Sequence, residues 1–111
     1  MKTVYVTQET EFDFTDAERW GDIVFLTHDD LFNHRDSDHN RIVMANIRRR
    51  LTAFSATSDY ILIAGSPYVA AAVFNMLGTM GYDSIRVLRW SNRDRVYTPI
   101  LINTAQEVMT S

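Results

Sequence analysis

The 111 residues suit one ordinary domain, and their 46% hydrophobic and 23% charged content excludes both a disordered tail and a fibrous repeat. With no cysteine, disulfides, thiol catalysis and a cysteine zinc site are excluded, and a reducing cytoplasm is the expected setting. The net charge of −3 argues against a strongly basic nucleic-acid binder, although residues 1–40 hold ten acids and three bases while residues 41–111 hold eight bases and four acids.

Val4-Tyr5-Val6 reads as a short first strand. Thr15 with Glu18 three residues on has the spacing of a capping box, which predicts one brief helical turn ending near Trp20-Gly21. Ile23-Val24-Phe25-Leu26 is a continuous apolar run, as expected of a strand buried on both faces. The polar stretch His28 to Asn40 reads as a loop, with Ser37 or Asp38 as the cap of the next helix. Ile42, Val43, Ile47, Leu51 and Phe54 then recur at helical spacing and predict an amphipathic helix over about residues 39–54, with Arg41, Arg48 and Arg49 on its solvated side.

Tyr60 to Ala64 reads as another apolar strand, and Gly65-Ser66-Pro67 turns it into a helix with serine as the cap and proline at its first position. That helix, about Pro67 to Met80, carries no charge. Gly81 ends it, Ile85 to Trp90 forms a strand, residues 91–94 turn, and Arg95 to Ile102 returns as a strand. Pro99 offers no amide donor and so places this last strand at a sheet edge. Strands alternating with helices predict an α/β domain: a small Rossmann-like three-layer sandwich on a mainly parallel sheet, closed by an antiparallel C-terminal edge hairpin. The first connection is so short that one sheet face is expected to be thinly covered.

Four groups of residues invite a functional reading. At Gly65 and Ser66 a strand runs into a helix start, where a parallel sheet binds phosphate, and His28 and Asp29 follow the neighbouring strand. The pattern is neither G-x-G-x-x-G nor a Walker loop, and Pro67 removes a donor, so the competing reading is a plain capped turn. His28, Asp29, Asp30, His34, Asp36, Asp38 and His39 concentrate groups that bind metals or share protons, but without diagnostic spacing. No metal and no cofactor is expected. Arg48, Arg49, Arg86, Arg89 and Arg93, with Trp90 among them, resemble a nucleic-acid surface, although Arg86 and Arg89 take opposite strand faces. Finally, the charge-free helix is expected to bury Val69, Ala72, Val73 and Met76 against a partner, because a peripheral helix normally shows water a polar stripe.

Several stretches resemble a family of small conserved bacteriophage proteins of unknown function. They are Val4-Tyr5-Val6-Thr7-Gln8-Glu9, Trp20-Gly21-Asp22-Ile23-Val24, Asp59 to Gly65, Leu88-Arg89-Trp90 and Arg95 to Ile100. Ser66 stands where the family has an acidic residue, and Arg89 where it has lysine. The resemblance implies a virus-encoded protein in the host cytoplasm, engaged in host takeover, defence blocking or the virion, and it carries over no catalytic residue. The combined expectation is a non-enzymatic protein that binds other proteins, as a homodimer or on a host or viral partner. Ligand binding at Gly65-Ser66 and nucleic-acid binding through the arginines are the alternatives. The sequence shows no signal region and no apolar window long enough for a membrane, so no membrane partner is expected.

Overall fold

The computed structural model describes residues 2–28, 32 and 35–103. Five strands form one sheet: β1 (Thr3–Val6), β2 (Asp22–Phe25), β3 (Tyr60–Leu62), β4 (Ser84–Ser91) and β5 (Val96–Asn103), in the order β2-β1-β3-β4-β5. The first four are parallel, and β5 returns antiparallel along β4, so the α/β class and the edge hairpin are as expected. A 3₁₀ helix, Thr15–Trp20, joins β1 to β2, and helices α1 (Ser37–Leu51) and α2 (Pro67–Thr79) supply the next two crossovers.

A right-handed crossover lies on one sheet face when the chain moves one way across the sheet and on the other face when it moves back. The chain moves outward from β1 to β2, then the opposite way to β3 and β4. Hence α1 and α2 share one face, where Val43, Ile47, Leu51, Val69, Val73 and Leu77 bury against Tyr5, Ile61 and Val87. The other face has only the 3₁₀ helix and its approach segment. Phe14, Ala17 and Trp20 cover Val4, Val6, Tyr60 and Leu62 there. The third layer is present but thin.

Local starts differ from the expected ones in instructive ways. Thr15 does not cap the 3₁₀ helix, since Asp13 accepts from both the backbone amide and the hydroxyl of Thr15 and takes that role. The start of α1 is capped by Asp36, whose carboxylate accepts from the His39 amide at 2.9 Å, and so precedes the serine and aspartate that the sequence offers. The helix then ends at Leu51, and Phe54 folds back onto Tyr5 and Tyr82 as an aromatic cluster.

The interface expected on α2 is overturned. Val69 and Val73 are 0% exposed and Met76 is 1% exposed, all within the domain's own core, and Ala72 is half-buried. Positions 69, 73, 76 and 77 fall on one helical stripe, which meets the sheet. The outward side is made of Tyr68, Ala71, Asn75 and Gly78. Small residues leave little carbon exposed there, so the helix needs no charges to face water.

Met76→Ala should therefore destabilise the isolated chain by about 2–5 kcal/mol in chemical denaturation. Ala71→Glu should stay within about 0.5 kcal/mol of the parent. A near-neutral Met76→Ala would mean that the helix does not face the sheet.

Candidate functional site

The parallel strands reverse their direction of progress between β1 and β3, and ligands of such sheets bind beyond the strand ends at that reversal. Here the position is occupied by the chain itself. Thr7 is fully buried; its hydroxyl donates to the Ala64 carbonyl at 2.8 Å and accepts from the Ala64 amide at 2.9 Å. Thr27 donates to the Thr7 carbonyl at 2.8 Å and ties in the end of β2. Gln8 accepts through Oε1 from the Ser66 amide at 2.6 Å, and the Ser66 hydroxyl in turn accepts from the Tyr68 amide at 3.2 Å. A Cβ on Gly65 would lie 2.1 Å from Gln8 Oε1, and Gly65 has φ +77°, so glycine is required there by two separate constraints. An anion at this helix start would have to displace Gln8.

Beside that turn, His28 Nδ1 donates to Glu9 Oε1 at 2.6 Å, while Arg50 reaches the His28 Nε2 at 3.4 Å and the Phe25 carbonyl at 2.7 Å. This is the pattern of a neutral ring with its hydrogen on Nδ1. Both His28 and Glu9 are about half exposed, so their pairing is screened and adds little to stability. Asp29, Asp30 and His34 lie outside the described residues, and among the described residues no group of three or more histidines and carboxylates could hold a metal ion.

The arginines do not converge. Arg48 and Arg49 are exposed on α1, and Arg89 and Arg93 are exposed on the hairpin. Arg86 is half-buried on the sheet's thin side, its guanidinium 4.4 Å from the Tyr60 ring centre, with Nε and Nη2 buried and unpaired among the described residues. A guanidinium held in that way is not presented to a phosphate backbone.

What the structure does assemble is an apolar groove of about 710 Å³. β3 ends at Leu62, where Thr7 pulls Ala64 aside, but β4 continues past it through Arg89, Trp90 and Ser91. The gap that opens is lined by Phe12, Phe14, Ile63, Trp90, Tyr97 and Ile100, with Asp13, Arg89 and Asn92 as its polar members. The Thr15 hydroxyl, then its amide, hold the Asp13 carboxyl below the ordinary aspartate value. Trp90 and Tyr97 pack edge to face at 5.0 Å, and the Tyr97 amide donates to Asp16 at 2.9 Å, which fastens the 3₁₀ helix to β5. Phe12 is 74% exposed, Leu101 59% and Ile63 49%, with Trp90, Ile100 and Ile102 close behind. Sequence reasoning missed Phe12, Ile63, Ile100, Leu101 and Ile102; the signal lay in an uninterrupted Ile-Leu-Ile run on a strand already marked as an edge by Pro99.

A family model described as phage Pam3 gp32-like protein matches residues 2–104, which takes in every strand and helix named above. This agrees with the expected resemblance to small bacteriophage proteins. No curated protein and no solved structure matches the chain. Among the described residues no helix is long and apolar enough to cross a membrane.

If Gly65 and Ser66 serve the turn, Ser66→Ala should cost about 1 kcal/mol as a lost cap. Gly65→Ala should cost more, because it meets both a positive φ and the Gln8 side chain. Urea denaturation of the two variants decides the order. Burial raises the Tyr97 phenol above its ordinary value, with Asp16 and Asp13 adding to the effect, and burial with Asp59 and Tyr82 raises Tyr5. A raised folded value means stability that is complete below the unfolded value near 10 and lost as pH rises through the folded value. Stability should thus decline above pH 10, and less steeply in Tyr5→Phe and Tyr97→Phe.

Proposed function

Because the chain belongs to the phage Pam3 gp32-like protein family, we propose that it is a phage protein that works by protein–protein binding rather than catalysis, with a second copy of itself as the partner. The observation that carries this reading is the apolar surface around the β4–β5 hairpin. Phe12, Ile63, Trp90, Ile100, Leu101 and Ile102 are all large and all substantially exposed, within one region of a small domain. Scattered exposed side chains need no explanation, but a contiguous apolar patch on a small soluble domain marks an interaction site. Removing such side chains from water yields about 25 cal/mol per Å², and a two-fold axis uses the same patch twice.

The alternatives gain less support. Gln8 already satisfies the amide that a phosphate at Ser66 would use, and the dispersal of Arg48, Arg49, Arg86, Arg89 and Arg93 gives a nucleic acid no continuous track. A host cytoplasmic setting is part of the proposal, resting on phage origin and a chain without cysteine. The patch is equally suited to a host or viral protein as a further partner.

Static light scattering across low to high micromolar concentrations tests the reading. The mean mass of the unmodified protein should climb from monomer toward dimer, and Ile100→Glu should hold it at the monomer with unchanged circular dichroism. A constant monomer mass at high micromolar concentration contradicts self-association.

A further inference from the structure

Resting on that reading, we infer that the second copy docks along the free edge of β5, in an antiparallel ladder centred on Leu101. Direct partners across β4 and β5 are Trp90 with Tyr97, Leu88 with Pro99, and Arg86 with Leu101. In an antiparallel strand the backbone N–H and C=O of alternate residues point to the same side. The Tyr97 amide bonds to Asp16 of the 3₁₀ helix, which marks the odd positions of β5 as the outward ones. Outward groups therefore belong to Tyr97, Pro99 and Leu101. Asp16 has taken the first donor and Pro99 has none, so the first half of the edge is closed to pairing. Leu101 comes next, with an outward N–H and C=O and a side chain 59% exposed.

Natural sheets protect free edges with charges, prolines or covers. Past Pro99 this edge has none of these, and no residue from Val96 to Asn103 is charged. The strand is also self-complementary. With Leu101 opposite the Leu101 of a second copy, each Leu101 donates to and accepts from the other across a two-fold axis. Ile100 then faces Ile102 of the other copy on the helix side, twice, and the two leucines meet on the thin side. Such aliphatic cross-strand pairs stabilise a ladder, and no like charges are brought together. The 3₁₀ helix anchored at Tyr97 stops the ladder from extending toward the hairpin turn, which keeps the pairing short and centred. Three aliphatic side chains cover less than the roughly 800 Å² per partner of a standard interface, so the dimer is weak and is sought at high micromolar concentration.

Cysteines introduced into this cysteine-free chain report the register. In the double variant Ile100→Cys/Ile102→Cys, the two positions lie directly opposite across the axis, with Cβ atoms about 4.5–5.5 Å apart, whereas either single variant pairs only diagonally at about 7–8 Å. Mild oxidation should convert most of the double variant to covalent dimer and little of either single one. Leu101→Pro, which removes the outward donor, should abolish the dimer seen by light scattering while far-ultraviolet circular dichroism is retained. A monomeric parent protein at high micromolar concentration overturns the binding reading itself. A parent dimer that survives Leu101→Pro, or a double variant that crosslinks no better than the singles, overturns the β5 register and leaves the binding reading standing.

Discussion

The handedness of the crossovers, combined with a first connection that holds only a short 3₁₀ helix, governs this molecule. A right-handed path from β1 outward to β2 must lie on the face opposite the two later helices. Only Thr15–Trp20 and the segment before it are available to cover that face. One side of the sheet is closed by two full helices, while the other depends on Phe14, Ala17 and Trp20 and a single fastening from Asp16 to β5. The hairpin, with strands longer than the parallel ones, extends beyond both layers and keeps its aliphatic side chains in water. The groove and the open edge of β5 are consequences of the same shortage.

The strand ends show a different economy. Thr7, Thr27 and Gln8 satisfy the backbone groups that the splayed ends of β1, β2 and β3 would leave buried, and each such unpaired group would cost about 1–3 kcal/mol. The position at which related architectures hold a ligand is thereby occupied by protein. Asp59 repeats the pattern at the opposite end, where its buried carboxylate accepts from the amides of Thr3 and Ser55. These polar fastenings fix the parallel core and direct attention away from the strand ends, toward the hairpin.

Much of this architecture is legible in the sequence, because its cues are local. Apolar runs at Ile23 and Tyr60, the Ser66-Pro67 helix start and the donorless Pro99 each act through their own backbone. The strand order and the closing role of Thr7 and Gln8 are not legible, since they depend on partners more than fifty residues away. Helix α2 misleads for a specific reason: absence of charge looks like a need for a second partner, yet Ala71, Asn75 and Gly78 expose so little carbon that a charge-free helix can stay peripheral. The Ile100-Leu101-Ile102 run carries the opposite lesson. In a strand, consecutive apolar residues face opposite sides, so burying all of them needs cover on both, and this edge strand has it on neither.

The central claim is that the open edge of β5 belongs to a protein interface, and site-resolved amide hydrogen exchange at two protein concentrations tests it most directly. The amide of Tyr97, bonded to Asp16 within the monomer, should be protected at both concentrations. The amide of Leu101 should exchange freely in dilute solution and become protected as concentration rises. Equal, rapid exchange of the Leu101 amide at both concentrations would contradict the account.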